Sequence, residues 1–220
     1  MVFVTLQKRR HSLCGHLFVM IAGLLLAACG STTANAVPTF TTGPTASPIP
    51  PSPWAQLEAR PLSLPTVAPS AACPVTQGQA ISGSGYAFLY GKGPAYVAVG
   101  ETNGTLQYDP APALDSGSSW GLAQIRWEVG PTFTGPLLIR GHQIDGSQSI
   151  GFNGGEGFTP TNPSGTEPIA NELRFLIVQP SGNQWYRAVS FVRLKSPGCY
   201  AYQFDGASFS EVIIFVAQVN

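Results

Sequence analysis

From Cys73 to Asn220 the chain alternates short apolar runs with clusters of Gly, Pro, Asn and Asp, and no run of ten or more residues there keeps a 3.6-residue apolar period. That pattern argues for strands throughout. They are expected near 85–90, 94–100, 119–129, 135–143, 172–179, 185–195, 198–204 and 209–218. Their spacing suits an antiparallel sandwich or barrel and leaves no room for helices crossing over between parallel strands. Composition agrees, since only 10% of residues are charged while 25 Gly and 20 Pro punctuate the chain.

Faces are legible in the last third. Tyr200, Tyr202 and Phe204 alternate with Cys199, Ala201 and Gln203, so the aromatic set shares one face. Ala188, Ser190, Val192 and Leu194 alternate with Arg187, Val189, Phe191, Arg193 and Lys195, and the basic ends of the second set are expected to face water. Residues 212–217 are apolar on both faces, as in a central or covered strand. Asp205-Gly206 and Ser196-Pro197-Gly198 look like hairpin turns, which would make residues 185–218 a three-stranded meander. The Gly-, Asn-, Thr- and Pro-rich stretch from Ser147 to Pro168 is expected to be a long exposed loop.

The other end of the chain carries an address. Lys8-Arg9-Arg10 precedes an apolar run from Leu17 to Leu26, the order of a secretory signal rather than a membrane span. Leu26-Ala27-Ala28-Cys29 closes the run and resembles the lipobox of bacterial lipoproteins. That resemblance implies cleavage after residue 28, a diacylglyceryl group and an N-acyl chain on Cys29, and a stable anchor on the extracytoplasmic face of the cell membrane. The expected organisation is a signal peptide over 1–28, a flexible linker over 29–53, a short helix and extended lead-in over 54–72, and the β domain over 73–220. Ser52 suits the helix N-cap and Pro53 its first turn, with Pro61 as the stop. Arg60 to Pro65 alternates apolar and polar residues and is expected to lie along the domain as an edge segment.

Without residues 1–28, three of the eleven Lys/Arg are gone, leaving eight against eleven Asp/Glu, a net charge of about −3. A nucleic-acid partner is not expected, because phosphate binding needs a basic face. Of four cysteines, Cys14 lies in the signal and Cys29 takes the lipid, so Cys73 and Cys199 remain. In an oxidising compartment the pair most simply forms one disulfide; a two-thiol metal site would need further ligands, and His142 is the one histidine after the signal.

Trp54-x-x-Leu57-x-x-Arg60-Pro61-Leu62-x-Leu64-Pro65, Cys73-Pro74-Val75-Thr76, Gly135-Pro136-Leu137-x-Ile139 and Pro197-Gly198-Cys199-Tyr200 resemble landmarks of uncharacterised exported bacterial proteins. The resemblance implies an immunoglobulin-like sandwich with a late Gly-Cys-aromatic strand, and implies no activity.

Candidate chemistry is sparse. Gly117-Ser118-Ser119-Trp120-Gly121 fits the Gly-x-Ser-x-Gly pattern of serine hydrolases, but a strand rather than a helix follows, with Glu128 and His142 as the available acid and base. Asp109, Asp115, Glu156 and Glu167 fall in loops, where paired carboxylates serve glycoside cleavage only if the fold sets them about 5 Å or 6.5–9.5 Å apart. Neither zinc nor Ca²⁺ spacing is present, so no metal or cofactor is expected. Trp120, Trp185 and Tyr186 are candidates for a ligand platform with Trp127, against the commoner role of such rings as core. The leading reading is a non-enzymatic envelope module that binds a polysaccharide or another envelope protein; the competing one is an extracytoplasmic hydrolase of envelope polymers using loop carboxylates or Ser119.

Overall fold

The computed structural model describes residues 52–100, 103–111, 118–155, 168–178 and 183–220. The signal, Cys29 and most of the linker lie outside them. Among the described residues the helix α1 (Ala55–Glu58) precedes eleven strands: β1 (Gly78–Gln79), β2 (Leu89–Tyr90), β3 (Ala95–Ala98), β4 (Thr105–Tyr108), β5 (Gly121–Val129), β6 (Gly135–Gln143), β7 (Gly151–Asn153), β8 (Glu172–Ile177), β9 (Tyr186–Leu194), β10 (Gly198–Gly206) and β11 (Phe209–Val219). They form two sheets, in the orders β1-β2-β3-β5-β9-β7 and β4-β11-β10-β6-β8. Every named pair is antiparallel except β4 with β11, which run parallel.

The sheets pack face to face around one aromatic core. Two-residue alternation puts Ala123, Ile125, Trp127 and Val129 of β5 inside, opposite Tyr200, Tyr202 and Phe204 of β10. Trp127 meets Tyr202 edge-on at 5.5 Å and Phe204 at 5.7 Å, while Tyr202 stacks on Phe215 at 4.6 Å. The indole N–H, which burial would otherwise strand, donates to Ser190 Oγ at 2.8 Å. Both sheets are stitched at their margins. Beyond the end of β3, Asp109 pairs with Leu122 through two backbone bonds of 2.8 and 2.9 Å, and Phe152 pairs likewise with Ala170. The free edge of β7 is thereby paired at Phe152.

Several expectations fail for identifiable reasons. The three-stranded meander does not exist: β9 pairs with β5 and β7, β10 pairs with β6 and β11, and Ser196-Pro197-Gly198 carries the chain from one sheet to the other. Asp205-Gly206 is not a turn. Strand β10 runs through both residues and the tight turn is Ala207-Ser208, because Asp205 is needed as a buried ion. Within the expected loop after Ser147, Ile150 and Phe152 are fully buried and Gly151–Asn153 is β7; residues 156–167 lie outside the described segments. Arg193 is only 2% exposed rather than facing water. Helix α1 starts later than expected, with Trp54 at its N-cap and Ser52 Oγ accepting from the Trp54 N–H at 3.3 Å.

The largest departure is the lead-in. Residues 60–73 cross the outer face of the second sheet as a strap instead of lying along its edge. Leu64 and Val67 pack against Ile144, Cys199 and Ala201, as Val212 and Ile214 of β11 also do. Their spacing of three is that of an extended polyproline path, not the two of a strand. Val67 N–H donates to the Ile144 carbonyl at 2.8 Å. One end of the strap is bonded covalently by Cys73–Cys199, Cα atoms 5.5 Å apart. The other end is ionic: Asp205, fully buried, receives Arg140 Nη2 at 2.7 Å and Gln203 Nε2 at 2.9 Å, with Arg60 Nη1 3.8 Å away. Arg60 also donates to the carbonyls of Gly206, Ala207 and Phe209 at 2.8–3.0 Å, gripping the β10–β11 turn.

Removing one partner of a buried pair strands the other charge, so Arg140→Ala should cost about 3–5 kcal/mol in urea unfolding of the oxidised protein. Arg60→Ala, at a partly exposed clamp, should cost about 1–3 kcal/mol. The Cys73→Ser/Cys199→Ser pair should lose up to about 5 kcal/mol. If the strap acts as a unit, Arg60→Ala will cost less in the disulfide-free background than in the parent; costs additive to within about 0.5 kcal/mol would show that the two ends act independently.

Candidate functional site

The outer face of the second sheet is sealed by the strap. The outer face of the first sheet is open around Gln124, Arg126 and Arg187, while Leu122, Glu128, Phe191 and Arg193 on the same face are buried, and its side chains follow from register. Tyr96, Glu128 and Arg187 form one cross-strand row, Ala98, Arg126 and Val189 the next, then Gln124 with Phe191, then Leu122 with Arg193. Residues 82–88 lie over part of this face. Arg126 sits over the Tyr86 ring at 5.4 Å, and Gly83 and Gly85 pass so close to Trp185 and Arg187 that a Cβ at either would come within 3.1–3.4 Å of those side chains.

Two shallow concavities flank β5 on the side toward β3 and β4. One, of about 560 Å³, is lined by Tyr86, Phe88, Ala98, Gly100, Gln124 and Arg126. The second, of about 530 Å³, shares Ala98, Gly100 and Gln124 and continues to Asn103 and Gln107. Each falls within the range of about 300–1,000 Å³ usual for ligand sites. The shared floor depends on Gly100, whose φ of +60° is left-handed and whose Cβ would lie 2.2 Å from the Thr105 carbonyl oxygen. Gln124 and Arg126 are exposed, and neither side chain is hydrogen-bonded among the described residues. A third concavity, on the far side of residues 82–88, holds Trp185, Asn183 and Arg187.

The proposed aromatic platform is not assembled. Trp185 adjoins the end of β5 marked by Val129↔Tyr186, and Trp120 the end marked by Gly121↔Leu194. Eight residues of strand, about 26 Å, separate them. Trp185 is half-buried against Tyr96, ring centroids 5.7 Å apart. Tyr186 points the other way, packing edge-on to Phe175 within the sandwich. Trp120 is covered by Lys195, whose Nζ is 4.4 Å from the ring centroid. Trp127 is core. Sequence reasoning missed Tyr86, Phe88 and Gln124; the only available signal was the outward parity of Gln124 and Arg126 on β5.

The hydrolase candidates are equally dispersed. Ser119 is exposed just before β5, and Ser118 Oγ accepts from the Trp120 N–H at 3.1 Å in a local turn. His142 belongs to the other sheet, in register with Ala201, and its Nδ1 lies 2.6 Å from the Gln143 carbonyl. Glu128 lies toward the opposite end of β5 from Ser119. Asp109 accepts from Asn220 Nδ2 at 2.8 Å, while Asp115, Glu156 and Glu167 lie outside the described residues. Among the described residues no three His, Cys, Asp or Glu are grouped to hold a metal ion.

Glu128 is the electrostatic anomaly of this face. Its side chain has no exposed surface, and burial pushes its carboxyl above the ordinary range; the Arg187 guanidinium, Nε 3.0 Å away and half in solvent, offsets only part of that. Glu211 is raised the same way, with hydrogen bonds from Lys92 and Gly93 opposing. A carboxyl whose folded pKa is raised contributes most below its unfolded pKa, and that stability is lost as pH climbs through the folded value. The urea midpoint should therefore fall as pH rises above about 4, less steeply in Glu128→Gln and more steeply in Arg187→Ala. Identical slopes in all three proteins would remove Glu128 from the account.

Comparison with protein-family models, with curated proteins and with solved structures finds nothing that matches this chain.

Proposed function

We propose that the chain is an exported, lipid-anchored envelope protein whose two-sheet domain is a non-enzymatic binding module of immunoglobulin-like type. The observation that carries the reading is the strap latched by Cys73–Cys199. A structural disulfide persists in oxidising, extracytoplasmic compartments. The pair is also what remains once Cys14 goes with the signal and Cys29 takes the lipid. The lipobox-like tetrad supplies the address and the anchor, and residues 30–53, rich in Ser, Thr, Ala and Pro, supply the reach.

Support for binding rather than catalysis comes from the distribution of side chains. Ser119, Glu128 and His142 sit on different parts of two sheets, whereas the open outer face gathers exposed amides and aromatic rings along a continuous depression. The immunoglobulin-like type is supported by two face-packed sheets with a central buried Trp127. Two features depart from that type: the parallel β4–β11 pair, and a disulfide on an outer face instead of between the sheets.

Anchoring is tested on the full chain with its leader, produced in a bacterial host. The wild type should partition into the detergent phase, and Cys29→Ala should appear in the aqueous phase or remain as unprocessed precursor. Equal partitioning of the two proteins, with equal processing, rules out the lipid anchor.

A further inference from the structure

We propose that the depression on the outer face of the first sheet is a glycan-binding trough, occupied by a polysaccharide chain running from Phe88 toward Gln107. The inference rests on the reading of the domain as a binding module and assigns its ligand class.

Three features of the trough select for sugar. It is elongated: the two concavities share Ala98, Gly100 and Gln124, so a ligand in one continues into the other, as a polymer does and a compact metabolite does not. It is amide-rich: Gln124, Asn103 and Gln107 are exposed along it, and an amide offers both donors and acceptors, the match for hydroxyl groups that do the same. And it is aromatic at one end, where the half-exposed rings of Phe88 and Tyr86 border it. A pyranose presents a C–H face to such a ring and hydroxyls around its rim, so one apolar surface flanked by amides satisfies both.

Charge narrows the choice further. Arg126 is the one ionisable cation among the lining residues, and it has no carboxylate partner among the described residues. A densely anionic polymer would meet a single countercharge there, and a cationic one would meet repulsion. A neutral glycan, or one with widely spaced carboxylates, fits. The guanidinium, already held over Tyr86, donates to a hydroxyl or carboxylate oxygen without first losing an ion pair. An acidic or basic peptide finds no such complement.

The full chain, purified in detergent, is run on native gels containing peptidoglycan glycan strands, a mixed-linkage β-glucan or hyaluronan, whose carboxylates lie on alternate sugars only. Retardation by at least one of these polymers is expected. Phe88→Ala and Gln124→Ala should each weaken it about tenfold, or about 1.4 kcal/mol, and Phe88→Tyr should restore it. Lys195→Ala, remote from the trough, should be retarded as much as wild type when each is measured against its own mobility in a polymer-free gel, and equal urea midpoints would show that the variants are folded. Loss of retardation for hyaluronan alone in Arg126→Gln would identify a carboxylate contact; uniform weakening would identify a hydroxyl contact. The trough is overturned if none of the three polymers retards the folded protein, or if retardation survives both trough variants and vanishes in Trp185→Ala. Failure of the binding-module reading looks different: the wild-type chain would then capture neither glycan nor any other component from solubilised envelopes.

Discussion

The structure depends on a carboxylate in the wrong place. Asp205 points to the outer face of a sheet, where a charged residue would ordinarily meet water, yet it has no exposed surface. Desolvating an ion is tolerable only if opposite charge and hydrogen-bond donors replace the water. Here they come from three directions: Arg140 on the neighbouring strand, Gln203 two residues back, and Arg60 from the strap. Arg60 itself accepts a bond from Arg140 at its own carbonyl, 2.9 Å away, and Pro61 accepts one from Gln203. The strap therefore completes the environment that makes a buried Asp205 possible, and Asp205 gives the strap its register. Each requires the other.

That mutual requirement makes the two faces of the sandwich unequal. The sheet containing β10 and β11 has apolar residues on both surfaces, so without Leu64 and Val67 above them Val212, Ile214 and Ala201 would form an exposed apolar patch. The opposite sheet is covered only in part. Its outer rows mix polar and apolar residues: Leu122, Phe191 and Arg193 are buried, Glu128 is buried and paired to Arg187, and Gln124 and Arg126 are exposed. One face is thus committed to the domain's own chain, and the other keeps an exposed strip along β5.

How much of this was readable beforehand follows from which rules are local. Strand positions were, because Pro, Gly and Asn/Asp clusters break apolar runs wherever they occur, and all eight expected strands are present. The parity of Tyr200, Tyr202 and Phe204 was also readable, since alternation along one strand is a property of the strand alone. Sheet membership was not. Ser196-Pro197-Gly198 is compatible with a hairpin and with a step between sheets, and only the fit of β9 against β5 decides. Asp205-Gly206 misled for the opposite reason: locally it is an excellent turn signal, overridden by two arginines at positions 60 and 140 whose sequence distance hides their approach. Arg193 misled similarly, its register partner Gly151 belonging to a strand too short to announce itself. The trough was illegible because its walls come from residues 86–88, 98–100, 103–107 and 124–126, none of which carries a motif.

The latch and the clamp also divide labour along the strap in a way that suits a tethered domain. If the chain is held at Cys29, any pull on the domain arrives through Ser52 and α1, ahead of the strap. It meets first the contacts of α1, buried Leu57 and the Glu58–Arg174 pair at 3.0 Å, and then Arg60, whose five-donor fork is spread over three carbonyls and a carboxylate and so resists sliding better than any single contact. Should that clamp yield, the peeling segment is only thirteen residues long before it reaches Cys73, where the bond is covalent. Peeling would expose the face beneath the strap and leave the core between the sheets, and the trough on the far sheet, mechanically out of line with the pull. For a chain held from its N-terminal side, an ionic contact first and a covalent one behind it confines any peeling to the strap; the reverse order would leave the segment beyond the disulfide to be torn from the sheet on its hydrophobic contacts alone.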